Sequence, residues 1–400
     1  TAWAIALLLL VVVGPLVPIA TAQPLVRFAQ TAALVEHRSL TIDPYEHTLL
    51  VDRVDHEGHV FSDKPPLQAF LAVPFYAVGK VVGMESAAVE RPSGNLGLWW
   101  VTLWSATVPA AGLVLLMHRA CRRFAPTSAT LATTAMAFGT LLLPFSGELY
   151  GHLLCALLAF GAWTVIDEGR GGLPAMAGAG ALAGAAVAVE YPMALVGLIL
   201  AVAVMAVRGG RALFAFALGA VPFGAFLLWY QWAAFGGPFT DPYRLKPQHA
   251  DASAAVTGLP RPAQAVEVLL GSRGLWLFTP VTALGLIGLV LLWRRGGAAG
   301  GQATAAVGVA VFVALWALQS GWSNPWGGEM PGPRYLLPAL PFLAPGVAIA
   351  AERWRVAVRF AALWGAVAMF GPLMTVHLVF SDGITGLSHL ANFREYGASP

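Results

Sequence analysis

The stretch 173-LPAMAGAGALAGAAVAVEYPMALVGLILAVAVMAV-207 holds one charged residue, Glu190, in 35 positions. Its two apolar runs, 174–190 and 192–207, lie close to the roughly 17 to 25 residues that carry a helix across about 30 Å of hydrocarbon. In lipid every backbone amide must be satisfied within the chain, so the pair reads as two membrane helices joined by a tight hairpin whose turn is marked by Pro192. A carboxylate at that depth is costly. It is expected to face a cavity or substrate path, or else to pair with an arginine of a neighbouring loop.

The same reading extends outward along the chain. Candidate spans fall at 3–20, 98–117, 126–145, 151–167, 174–190, 192–207, 212–234, 275–293, 302–319, 335–351 and 356–379. The fold class that follows is an all-α integral membrane protein of about eleven transmembrane helices, with 1–400 as a single transmembrane domain and no separate soluble domain. Composition agrees: 58% of residues are hydrophobic, 11% are charged and the mean hydropathy is +0.71, against about a quarter charged in soluble domains. The segment 2–20 lacks a basic leader and a clear cleavage site, so it is expected to be a first span rather than a removable signal. The pI near 9.0 does not indicate nucleic acid, because the 23 Lys and Arg are scattered rather than clustered. Cys121 and Cys155 lie in or beside apolar spans, which suggests neither a disulfide framework nor a thiolate metal site.

A twelfth apolar stretch, 67–82, follows Pro65-Pro66 and is broken by Pro74 and Gly79. If it lies along the surface as an interfacial helix, the short turns holding Arg119, Arg122, Arg123, Arg170, Arg208, Arg211, Arg294, Arg295, Arg353, Arg355 and Arg359 all fall on one side. That side then carries 11 basic residues against Asp167, Glu168 and Glu352, the bias expected of cytoplasmic loops. Three polar segments are left on the extracytoplasmic side, at about 21–97, 235–274 and 320–334. No internal repeat of fixed period is evident.

These outer segments concentrate the reactive groups. In 27-RFAQTAALVEHRSLTIDPYEHTLLVDRVDHEGHVFSDKPPLQAF-70, prolines stiffen the backbone beside Asp43 and beside Asp63-Lys64, as a preorganised acid, base or phosphate contact requires. Either carboxylate could instead belong to a solvated loop. His47, His56 and His59 stand among carboxylates but match no metal spacing, so a divalent cation is a candidate cofactor and not a requirement. Glu148 and His152, one helical turn apart, join Glu190 as candidate cavity or acceptor residues. In 321-GWSNPWGGEMPGPRYLLPALPF-342, Glu329 is a further candidate, and Arg334 can grip a phosphate through its forked donors; Trp322 and Trp326 read as interfacial-belt residues. The second outer segment places Asp241, Arg244, Lys246 and Arg273 at the surface. The three lysines, Lys64, Lys80 and Lys246, all lie on this outer side, which favours an anionic lipid-phosphate ligand.

The order of a first span, a long outer loop opening Arg27-Phe28-Ala29, the Lys64-Pro65-Pro66-Leu67 step, an interfacial helix and a polytopic bundle resembles the C superfamily of glycosyltransferases (GT-C). The protein O-mannosyltransferase and lipid A aminoarabinose transferase branch is the nearest in pattern. SDKPPL, VAVEYP, GSRGLWLFTP and GGEMPGPRYLLPALPFL are similar to phrases in bacterial membrane proteins of that superfamily, and the resemblance covers nearly the whole chain. It implies a bacterial cytoplasmic-membrane glycosyltransferase with an extracytoplasmic active site, a polyprenyl-phosphate sugar donor, and a lipid, glycan or protein acceptor. It also implies that Lys64 contacts the donor phosphate and that an acidic residue of the first loop acts as base in an inverting displacement. Such relatives carry an acid just before the Arg-aromatic-Ala opening, where this chain has Gln23-Pro24-Leu25-Val26. The base is then expected at Asp43 in the first place, with Asp63 the other candidate and Arg27 lining the cavity. The alternatives are a transporter or flippase of a lipid-linked envelope intermediate, or a non-catalytic partner in envelope assembly.

Overall fold

The apolar runs become helices wherever their length allows, and the prolines and glycines between them set the breaks. The computed structural model describes residues 1–18, 21–49, 52–88, 94–246, 258–296, 300–322, 324–328 and 330–374. The chain begins with α1 (Ala2–Val13) and α2 (Ala22–Ala32). A hairpin of β1 (Arg53–His56) and β2 (His59–Ser62) follows, then α3 (Leu67–Val81). Next, α4 (Leu96–Thr102) runs through one wider turn into α5 (Val108–Phe124), making one continuous helix, Leu96–Phe124. The bundle continues with α6 (Ala129–Phe138), α7 (Leu142–Phe145), α8 (Gly151–Glu168), α9 (Gly172–Val189), α10 (Met193–Arg208) and α11 (Gly210–Phe235). It closes with α12 (Pro262–Leu270), α13 (Leu275–Phe278), α14 (Val281–Arg295), α15 (Gly301–Ser320), α16 (Leu340–Arg353) and α17 (Arg355–Met374).

Among the described residues, six helices are long and apolar enough to cross a membrane, or seven if a bent pair counts as one span. The helices Ala2–Val13, Leu67–Val81, Ala129–Phe138 and Met193–Arg208 are apolar but shorter. The bent pair is the second departure from the expected count. Pro262–Phe278 meets Val281–Arg295 at 94° across the Thr279-Pro280 step, so the end of what reads as outer loop before 275 holds a short helix, Pro262–Leu270, bent away from the span that follows.

Small residues let the helices approach. A Cβ on Gly180 of α9 would overlap the Phe216 carbonyl of α11, and one on Gly288 of α14 would overlap the Gly346 carbonyl of α16. Helix association in lipid relies on such contact, because apolar side chains gain little by leaving hydrocarbon for protein. The last long span, Arg334–Arg353, is 94% buried and forms the bundle's core, whereas Gly210–Phe235 is 17% buried and shows most of its surface to its surroundings.

The first loop builds a cap with its own apolar core, including Val26, Phe28, Ile42, Tyr45 and Tyr76. Glu36 is fixed within that cap by Tyr45, Tyr76, Ser86 and Lys80. Burial opposes its ionisation, but these donors outweigh it and hold its pKa at about 2.

Candidate functional site: a charged cluster at the base of the hairpin

A two-residue turn creates the centre of the site. Glu57 and Gly58 both have positive φ, 50° and 81°, the backbone of a hairpin turn whose twist matches that of the flanking strands. The resulting register pairs His56 with His59 and Arg53 with Ser62. One step further out, Asp52 and Asp63 are left opposite each other, with the Asp63 N–H donating to the Asp52 carbonyl at 3.4 Å. Facing like charges oppose pairing unless a cation answers them. Two do so. Lys64 Nζ stands 3.2 Å from Asp52 Oδ1 and 3.2 Å from Asp63 Oδ2. Lys246 Nζ also contacts Asp63 and lies 3.4 Å from Asp52. Lys246 arrives from the segment after α11, where the Asp241 side chain accepts from the Tyr243 N–H and sets a short turn, Pro242–Leu245. Tyr243 lays its ring 5.6 Å from each ammonium.

This cluster is buried, so its charges bear on one another strongly. Burial penalises the Asp52 carboxylate, but Lys64, Lys246 and Arg334 more than offset that and hold its pKa well below the usual range. Burial likewise disfavours the Lys64 ammonium, and Asp52 and Asp63 reverse the sign, so Lys64 is held well above an ordinary lysine. Both groups are thus locked in their charged forms at neutral pH.

A second layer lies beside the first. Arg334 opens a turn, Arg334–Ala339, that leads into α16, and Gln319 Oε1 anchors this turn by accepting from the Tyr335 N–H at 2.8 Å. The guanidinium lies 5.6 Å from the Tyr150 ring and 5.2 Å from the Tyr335 ring, against the backbone of Gly327, where no larger residue would fit. Its side chain meets no carboxylate among the described residues, and its Nε has no hydrogen-bond partner there. Nearby, Arg27 of α2 donates to Glu190 Oε1 at 2.5 Å, and His152 Nδ1 approaches the same oxygen at 3.9 Å. Glu190 therefore pairs with an arginine of the first loop and also borders a cavity. That cavity, about 990 Å³, runs from Glu190, Tyr191, Tyr243 and Tyr335 to apolar walls that include Leu227 and Leu318.

The candidates named from sequence are therefore distributed as follows. Asp63, Lys64, Arg334, Arg27, Glu190 and His152 fall in or around one buried network. Asp43 stands apart from these contacts: its oxygens accept from the Val60 N–H at 2.5 Å and bond the His59 ring at 2.8 Å. Burial raises its pKa, and these local bonds more than offset that. Glu148 precedes α8 and is not joined to His152; burial alone pushes its carboxyl up to about 8. Glu329 lies outside the described residues. Lys246 and Arg273, expected at the surface, are 4% and 6% exposed. Lys80 is elsewhere, bound to Glu36. Trp322 packs on Tyr335 with ring centroids 4.5 Å apart, and Trp326 is 8% exposed.

Sequence reasoning overlooked Asp52, Lys246 and the tyrosines 150, 243 and 335 as parts of one site. The Glu57-Gly58 turn was the available signal, since it predicts the register that joins Asp52 to Asp63. Among the described residues, no group of three His, Cys, Asp or Glu side chains is placed to hold a metal ion. Asp52 and Asp63 are already matched by two ammonium groups, so this pair does not fit a resident divalent cation. Of the histidines near the hairpin, His59 is turned to Asp43 and His56 packs on Phe235.

No family model matches this chain, and no curated protein matches its sequence. Solved structures do share its fold. ArnT from Cupriavidus metallidurans in the apo state superposes with a TM-score of 0.59 at 16% identity, over 98% of this chain and 67% of its own. ArnT bound to undecaprenyl phosphate gives 0.57 at 15% identity, over 94% and 70%. The oligosaccharyltransferase AglB of Archaeoglobus fulgidus, in complex with an inhibitory peptide and a dolichol-phosphate, gives 0.52 at 12% identity. That match covers 98% of this chain and 53% of AglB, so the chain spans about half of AglB's length. The chain thus shares the fold of these ArnT and AglB structures.

Proposed function

We propose that the chain is a membrane glycosyltransferase that moves a sugar from a polyprenyl-phosphate carrier to an acceptor on the extracytoplasmic side. The observation that carries this reading is that the buried Arg334 makes no ion pair among the described residues. A buried guanidinium without an anion costs several kcal/mol, and a phosphate beside Lys64 and Lys246 would supply one. The undecaprenyl phosphate and dolichol-phosphate in the ArnT and AglB structures make that class of ligand the natural occupant. The apolar walls of the 990 Å³ cavity suit the first isoprene units, and its lining residues Tyr243 and Tyr335 are the rings that lie against Lys64, Lys246 and Arg334.

In the transfer, the bond between the sugar's anomeric carbon and the phosphate oxygen breaks as the acceptor oxygen bonds the opposite face of that carbon. Charge grows on the departing phosphate, where Arg334, Lys64 and Lys246 stabilise it without reorganising. The acceptor's proton passes to a carboxylate. Asp63 suits that role better than Asp43, since both Asp43 oxygens are engaged within the loop whereas Asp63 Oδ1 is free of partners among the described residues. Glu190, held by Arg27, orients the acceptor at the cavity's edge.

The test is to incubate the purified chain, in lipid nanodiscs, with radiolabelled polyprenyl-phosphate sugars and follow both bound lipid and released or transferred sugar. Asp63→Asn should abolish sugar release while lipid still binds, and Asp43→Asn should keep most of it. Persistent lipid binding with no sugar released by the unaltered chain would refute an enzyme and favour a carrier.

A further inference from the structure

A second charged cavity lies at the far end of the same bundle. α8 carries His152 in its first turn and Asp167 and Glu168 in its last. At the helical rise, these ends stand roughly 23 Å apart, most of the thickness of a bilayer's hydrocarbon core. Around the far end, the last turns of α5 and α8, the start of α1 and the turn after α8 enclose about 760 Å³.

Four arginines line this space: Arg119, Arg122 and Arg123 from one turn and Arg170 from the next. Two are answered, Arg119 by both oxygens of Glu168 and Arg123 by Asp167. Arg122 and Arg170 meet no carboxylate among the described residues. A topology signal explains arginines in such turns, but it does not require those of two separate turns to converge on one concavity. His118, Thr164 and Thr304 also line the space, Leu115, Leu116 and Trp163 give it apolar wall, and Trp3, 74% exposed, borders it.

Two guanidinium groups with no carboxylate partner among the described residues, beside the apolar side chains of Trp3, Leu115, Leu116 and Trp163, match a lipid that is charged at its head. We propose that this cavity binds the phosphate of an anionic phospholipid in the leaflet opposite the Lys64–Arg334 cluster. Arg122 and Arg170 grip the headgroup phosphate, the Arg119–Glu168 and Arg123–Asp167 pairs shape the rim, and Trp3 with Leu115 and Leu116 borders the acyl chains. A zwitterionic headgroup brings its own ammonium into the same space and is disfavoured.

The test is native mass spectrometry of the full chain released from mixed phosphatidylglycerol and phosphatidylethanolamine nanodiscs, repeated with 10-fold excess inorganic phosphate. The expected result is selective retention of phosphatidylglycerol that phosphate does not displace. Retention should fall about 30-fold in the Arg122→Ala/Arg170→Ala double variant, with thermal stability and outer-site undecaprenyl phosphate binding retained. Equal retention of the two lipids, displacement by inorganic phosphate, or unchanged retention in the double variant would each overturn the assignment. Because the outer site is read separately, its failure to bind a prenyl phosphate leaves this result intact.

Discussion

Arg334 is the residue on which the outer site turns. Removing it should weaken undecaprenyl phosphate binding by about 10- to 100-fold, since a hydrogen bond to a charged group contributes roughly 1.5–3 kcal/mol. Arg334→Lys should recover only part of this, because a lysine keeps the charge but loses the planar fork. Titration of the bound lipid by quenching of intrinsic tryptophan fluorescence would measure both. Glu148 makes a different prediction. Its folded pKa of about 8 lies above the ordinary value of 4.5, so the unfolded chain gives up that proton first as pH rises. Stability is therefore highest below about pH 4.5, falls as pH climbs toward 8 and then levels off. Glu148→Gln should flatten the decline in melting temperature between pH 6 and 8 in detergent, and an unaltered slope would show that the group does not titrate there. Single residues were legible in the sequence where their cost was plain: a carboxylate in an apolar hairpin, or an arginine flanked by glycine and proline. Lys246 was not, because a lysine between Leu245 and Pro247 reads as solvated until Asp52 and Asp63 are seen to meet it.

At the scale of elements, the α9–α11 and α14–α16 pairs depend on backbone contact. Gly180→Val would force α9 from the Phe216 carbonyl, and overpacking of this kind costs about 1–3 kcal/mol. A lower melting temperature is expected, whereas the same change at Gly178, which faces open space, should cost far less. Comparing the two variants separates close packing from the β-branched residue's lower helix propensity. Spans were readable because hydrocarbon allows few backbone solutions. The hairpin β1–β2 was missed, since eight strand residues bordered by charged turns carry little periodicity. The bend at Thr279-Pro280 was also hidden, because apolar composition is the same in a straight helix and in a sharply bent pair.

For the whole molecule, charge bias predicts that the Lys64–Arg334 cluster and the arginine-lined cavity open on opposite sides of the membrane. Cys121 and Cys155 are buried and unpaired, so a cysteine at Ser39 or at Arg170 can be labelled selectively. In intact cells an impermeant maleimide should reach Ser39→Cys and spare Arg170→Cys; the reverse pattern would invert the orientation. The sequence by itself determined that the chain lives in a bilayer, roughly where it turns, and that its charges gather in a few loops. Those properties follow from transfer free energy and backbone hydrogen bonding, which act locally. Only the tertiary structure decided which charges are neighbours: it brought Asp52 to Asp63 through a two-residue turn, set Lys246 beside both from nearly two hundred residues away, and buried Arg334 with no ion pair among the described residues. Such pairings depend on the register and packing of distant segments, which no local pattern encodes.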